Sequence, residues 1–114
     1  MKLNFKKSGA GEPLIILHGL FGSLDNWATA GKKLSEKFTV YLVDQRNHGH
    51  SPHDDVFDYD AMSSDLEELI NSEELEGVHL IGHSMGGKTA MTFALLHPEL
   101  IDKLVVVDIS PRKY

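Results

Sequence analysis

Residues 81–90 read IGHSMGGKTA, and two different chemistries fit the same letters. Gly82 to Gly86 form G-x-S-x-G, the pattern of a nucleophile elbow, in which a serine on a tight strand-to-helix turn attacks an acyl carbon. Gly82 to Thr89 also form G-x-x-x-x-G-K-[ST], a phosphate-cradling loop with Lys88 on the terminal oxygens and Thr89 on magnesium. The phosphate reading finds an imitation of its acidic partner in LVVVD, which ends at Asp108. It has little else: the pattern follows the fourth strand of the chain rather than the first, and no other strand-end loop looks like a base-recognition element. The elbow reading asks for more and receives it. A residue in strained backbone angles between strand and helix leaves no space for side chains two positions either side, and Gly82 and Gly86 stand there. The same turn aims the N–H of Met85, at a helix N-terminus, toward a developing oxyanion. A second donor has to come from a neighbouring strand end. HGLFG at 18–22 is such a loop, with Leu20 N–H the first choice and Phe21 N–H the second.

These residues need a frame, and the hydrophobic pattern supplies one. Strands are predicted at 2–7, 14–18, 39–44, 78–82 and 103–109, with LIILH at 14–18 continuous enough to be buried on both faces. Helices are predicted at 26–36, with Trp27, Ala30 and Leu34 on one face, and at 59–72. In the second, Met62, Leu66, Leu69 and Ile70 face inward and the acidic residues outward. A third starts at Ser84 or just after and runs to about His97, its Gly86, Ala90 and Ala94 making a small-residue stripe against the sheet. The fold class is therefore α/β, an open, mostly parallel sheet with helices on both faces. Ligands of such sheets bind at the carboxyl ends of the strands, where HGLFG, DQRNHGHS, HSMGG and Asp108 all fall.

Composition narrows the function classes. A chain of 114 residues with 41% hydrophobic and 25% charged residues has one globular domain at most. A net charge of −6 without a basic run points away from nucleic acid and anionic membranes. There is no cysteine, which removes disulfides, zinc-thiolate sites and a cysteine nucleophile. The first nineteen residues hold only a four-residue apolar run, too short for a signal peptide or membrane span, so a cytoplasmic location is the default expectation.

Four motifs occur in order: HGLFGSLDNW at 18–27, DQRNHGHSP at 44–52, IGHSMGGKTAM at 81–91 and IDKLVVVDISPRKY at 101–114. With them the chain resembles the N-terminal part of α/β-hydrolases, and in particular the small bacterial esterases and their mitochondrial relatives. The resemblance implies a serine carboxylester hydrolase with Ser84 as nucleophile and no cofactor. A thioesterase or acyltransferase would share every residue named. In this subgroup the acid of the triad looks to follow the strand after the nucleophile, which points to Asp108. The resemblance also implies that residues 1–114 are the N-terminal part of a domain roughly twice as long, in keeping with ordinary domain sizes. The cap and the histidine-bearing loop are then expected outside this chain. A non-catalytic half-domain, active only with a complementary chain, is the alternative from another class.

The remaining candidates read as architecture. His18 is expected to hydrogen-bond within its loop, and His79 and His97 to pack. His48, His50 and His53 are expected to be solvated, because their spacing suits no zinc pattern, and no metal is expected. His83 neighbours Ser84 but points away from it as adjacent residues of a turn do; with Leu20 and Phe21 it is a tentative pocket residue. Asp44 and Arg46 are expected to tie down their loop, Trp27 to be core and Lys88 to be solvated. The strand at 103–109, apolar on both faces and at the sheet edge, is expected to meet a second polypeptide, either a C-terminal half or a symmetry copy. A small ester is the expected substrate.

Overall fold

The computed structural model describes residues 1–107. Five strands, β1 (Phe5–Ser8), β2 (Glu12–Leu17), β3 (Phe38–Val43), β4 (Val78–His83) and β5 (Ile101–Val107), form one sheet in the order β1-β3-β2-β4-β5. β1 pairs antiparallel with β3, and the other pairings are parallel. Three helices, α1 (Ala28–Leu34), α2 (Tyr59–Ser72) and α3 (Met85–Leu96), connect the parallel strands.

Strand alternation sorts the core into two layers. Ile15, Leu17, Tyr41, Val43, Val78 and Leu80 face Leu66, Leu69 and Ile70 of α2 and Ala90 and Phe93 of α3. Leu14, Ile16, Val40 and Leu42 point the other way, with Leu24 and the partly buried Trp27 and Leu34 of the α1 side. Gly31 lets α1 come down on the sheet, since a Cβ there would lie 2.9 Å from the Leu42 side chain. The central strand β2 sends its chain to one face while β4, its neighbour, sends its chain to the other. The crevice between the ends of β2 and β4 is the topological switch point of the sheet.

The differences from the sequence reading have local causes. The first helix starts as a 3-10 turn, Leu24–Trp27, because Ser23 and Asn26 form a reciprocal cap that tightens the entry. The helix over 59–72 has its predicted bounds, set by Asp58, whose side chain accepts the Ala61 N–H at 2.8 Å. Its acidic residues do not all face outward: Asp65 is buried, for a reason that lies in the loop after β3.

Candidate active site

Only one residue separates β4 from α3, and it is Ser84, with φ 53° and ψ −113°. A non-glycine residue in that region costs about 1–3 kcal/mol and persists only where its surroundings over-determine it. The surroundings here are two backbones in contact. A Cβ on Gly82 would lie 2.3 Å from the Gly86 carbonyl oxygen, and one on Gly86 would lie 2.3 Å from the Leu17 carbonyl oxygen. The Ser84 N–H donates to the Val107 carbonyl at 3.0 Å, so β5 holds the turn from the far side. Met85 opens α3, and its N–H belongs to the unpaired first turn of the helix.

This geometry also answers the phosphate reading. A cradle needs several loop residues with their N–H groups turned inward, and the chain offers only Ser84 between strand and helix. Thr89, the would-be magnesium ligand, is buried and donates its hydroxyl to the Met85 carbonyl at 3.2 Å. Lys88 is exposed, as expected of a solvated side chain.

The loop after β2 reaches Ser84 directly: a Cβ on Gly19 would lie 3.4 Å from the Ser84 Cβ. Gly22 N–H donates to the Gly19 carbonyl at 3.0 Å, closing a turn with Leu20 and Phe21 at its centre. The second-choice donor is otherwise engaged, because Phe21 N–H donates to His48 Nε2 at 3.0 Å. Of the two N–H groups named from the sequence, Phe21 N–H is thus the one bonded to His48.

The DQRNHGHS segment is the support for that loop. Asp44 accepts from Leu24 N–H, His50 N–H and the Asn4 amide at 2.8–2.9 Å. Burial alone would raise this carboxyl, but the His50 and Leu24 N–H groups and Asn4 outweigh it and hold Asp44 below the usual carboxylate range. Gly49, at φ 53°, is the residue that lets the chain close over Asp44, since a Cβ there would fall 2.3 Å from the carboxyl carbon. Arg46 forms a two-pronged pair with the buried Asp65, at 2.7 and 2.8 Å, and donates to the Val56 carbonyl at 2.7 Å. The Asp65 hydrogen bond raises the guanidinium above its ordinary value. Both expected loop ties, Asp44 and Arg46, are present, and Asp65 is the partner the helix pattern concealed.

Ser84, Met85 and Leu20 line a hollow of about 300 Å³ together with Phe57, Asp58, Tyr59, Met62 and Lys88. Of the three tentative pocket residues only Leu20 belongs to it. His83 lines a second hollow with Gly19, Gly22, Asn26 and Trp27, its ring edge-on to Trp27 at 5.9 Å. Phe21, 91% exposed, borders a third with Asn47, His48 and Gly49. Leu20 borders both of these hollows too, so the loop after β2 is shared by all three. The wall built by residues 57–62 went unnamed in the sequence, although it follows β3 at the same sheet edge, and that placement was the available signal.

The histidines divide by burial. His18 donates from Nδ1 to the Gly19 carbonyl at 2.7 Å and accepts Gln45 N–H at Nε2, 3.0 Å away; burial lowers its pKa. His48 is buried, against the expectation of solvation, while His50 and His53 are exposed. His79 meets Glu12 at 2.7 Å and Asp102 at 3.7 Å at the opposite end of the sheet. These three bring ligand-type atoms within 4.8 Å of one another, and the His79 hydrogen bond lowers the Glu12 pKa. His97 packs on Phe93 at 5.0 Å between ring centroids. Asp108, the proposed triad acid, lies outside the described residues.

Residues 12–113 match the protein family described as the alpha/beta hydrolase fold. The sn-1-specific diacylglycerol lipase ABHD11 of Xenopus laevis is 52% identical over 103 residues, covering 89% of this chain and 33% of that protein. Esterase YbfF of Escherichia coli is 42% identical over 119 residues, covering 100% of this chain and 47% of that one. Among solved structures, a marine microorganism esterase superposes with a TM-score of 0.93 at 58% identity, covering 99% of this chain and 44% of that one. The chain thus spans less than half the length of these relatives.

Proposed function

From the premise that the chain belongs to the α/β-hydrolase fold family, we propose that it carries the nucleophile and oxyanion hole of a serine carboxylester hydrolase. The observation that carries this reading is Ser84 in a strained turn, alone between strand and helix, lining a hollow with Leu20, Phe57, Tyr59 and Met62. Ser84 Oγ attacks the ester carbonyl. The oxyanion takes hydrogen bonds from Met85 N–H and Leu20 N–H, the catalytic histidine passes the Ser84 proton to the departing alkoxide as the C–O bond breaks, and the same histidine then takes a proton from the attacking water and returns it to Ser84 as the acid is released. Asp108 is the acid that orients the catalytic histidine and stabilises its imidazolium.

The histidine itself comes from outside residues 1–114. His18 and His48 have both ring nitrogens engaged, His83 faces a different hollow, and His79 belongs to the opposite end of the sheet. A complementary polypeptide, a C-terminal half or a symmetry copy, then seats on β5. Small-molecule esters are the substrate class, and neither cofactor nor metal enters the reaction.

The test is p-nitrophenyl ester turnover by a form of the protein that includes the histidine-bearing part. Ser84→Ala should abolish it. Asp108→Asn should lower kcat by roughly ten-thousandfold with the fold intact, as the comparable change does in a serine protease. Residues 1–114 alone should show residual turnover only, about six orders of magnitude down, the loss known for a missing triad histidine. Robust, Ser84-dependent turnover by these residues alone would overturn the assignment of the base, and near-normal activity of Asp108→Asn would remove Asp108 from the triad. Faster turnover of acyl-CoA than of simple esters would reassign the enzyme as a thioesterase.

A further inference from the structure

We propose that Glu12, His79 and Asp102 form a zinc-binding site at the end of the sheet away from Ser84, where the bound ion ties the edge strand β5 to β4 and β2. The site is independent of the ester chemistry. Glu12 opens β2, His79 is the second residue of β4 and Asp102 the second of β5. These strands run parallel, so their first residues meet at one end of the sheet, while Ser84 follows the last residue of β4. The three donors are far apart in the chain, and no short spacing in the sequence marks them.

Strand alternation alone would turn Asp102 away from the other two. The Val106 side chain lies against Gly87 of α3, and counting back by twos puts Asp102 on that same face. Glu12 and His79 are on the opposite face, where they line a hollow with Leu34, Phe38, Lys103 and Val105. The register shifts between them: Val78 pairs with Ile101 and His79 with Lys103, so Asp102 is an extra residue in β5. A bulge of this kind re-aims a side chain. Through it the Asp102 carboxylate comes to 3.7 Å from His79 Nε2.

Two carboxylates thus converge on one ring nitrogen, because Glu12 Oε1 lies 2.7 Å from the same Nε2. That nitrogen carries at most one proton, and a single N–H cannot serve both carboxylates and offset their mutual repulsion. A divalent ion in place of the proton takes all three donors. Donors about 2.0–2.1 Å from a tetrahedral zinc stand about 3.3 Å apart, and the two contacts at His79 bracket that separation. An imidazole ligand favours zinc over magnesium and calcium, which prefer oxygen throughout. The His79 ring is already fixed, buried and edge-on to Phe38 at 5.6 Å between centroids. The side chains of Glu12 and Asp102, 71% and 51% exposed, have the freedom to close on the ion.

The protein, stripped of metal with EDTA and titrated with zinc chloride in a calorimeter, should take up one ion per chain, and equal concentrations of calcium or magnesium should not compete. Glu12→Gln and Asp102→Asn keep the side-chain shape at exposed positions and put no packing at risk. Each should weaken zinc at least about tenfold, the loss that even an outer partner of a metal site can cause. Lys103→Gln, which removes a positive charge lining the same hollow, should tighten it. Zinc should also raise the melting temperature with rising concentration, and Asp102→Asn should remove that rise. In nitrogen-15 NMR, His79 Nε2 should be the ring nitrogen that zinc shifts most. The exposed His50 and His53 are the competing zinc binders, and replacing both with glutamine should leave the affinity unchanged. No uptake at millimolar zinc overturns the site. So does uptake that survives Glu12→Gln and Asp102→Asn together or disappears with His50 and His53. Calcium bound as tightly as zinc overturns it too, because the cluster would then be an acidic surface without a nitrogen ligand.

Discussion

Two buried titratable side chains flank the active-site loops, and their shifts have opposite chemical origins but the same sign for stability. Burial lowers His18, so its neutral ring contributes stability that is present above about pH 6.5, the ordinary histidine value, and is lost as pH falls from there through the lowered folded value. Asp44 is also lowered, by N–H groups that outweigh its burial, so its contribution is present above about pH 4 and is lost as pH falls through its own folded value. Urea unfolding of the chain across pH should show two successive losses, one beginning near each ordinary value. The upper one should be absent in His18→Asn, even though that variant is less stable at neutral pH. A flat stability between pH 7 and 5 would rule out the assignment to His18. Ser84 and Thr89 carry a further expectation at this scale. ATP with magnesium should leave the melting temperature unchanged, because Thr89 is committed to the Met85 carbonyl; a saturable rise would return the phosphate reading.

The elbow depends on α3 lying against the ends of β2 and β4, and two glycines separate close approach from simple backbone freedom. Gly86→Ala would drive a methyl into the Leu17 and His18 carbonyls, 2.3 and 2.6 Å away, and neither backbone can yield without moving a central strand. The expected cost is about 3 kcal/mol or more by urea unfolding. Gly77, at the turn into β4, has φ 59° and nothing within 4 Å of a Cβ, so Gly77→Ala should cost only about 1 kcal/mol, the penalty of left-handed backbone. Equal costs would mean that α3 does not press on the strand ends as described.

At the scale of the molecule, one edge of the sheet formed by the described residues is apolar and exposed. β5 is the edge strand opposite β1, and Leu104, Val105, Val106 and Val107 are all 37–50% exposed. Met91, Leu95 and Leu96 of α3 are exposed apolar side chains as well. Strand edges of this kind template pairing with another chain. Residues 1–114 alone should therefore associate with rising concentration in light scattering, and Val105→Lys should reduce that association. A stable 12.7 kDa monomer with β5 exposed would overturn the expected partner. No helix among the described residues is long and apolar enough to cross a membrane.

The sequence by itself determined whatever depends on near neighbours. The period of the strands and of α2 and the glycines around Ser84 follow from residues a few positions apart, and all three are legible before folding. The resemblance to α/β-hydrolases rests on the same short runs. What only the tertiary structure decided involves partners far apart in the chain. Asp65 reads as one more outward carboxylate until Arg46, nineteen residues earlier, is found paired with it. His48 reads as a solvated loop histidine until the Phe21 N–H, twenty-seven positions away, is found on its Nε2. The placing of His83 outside the Ser84 hollow has the same cause. Side chains and N–H groups at a turn point in directions fixed by long-range hydrogen bonds, and no local period encodes them.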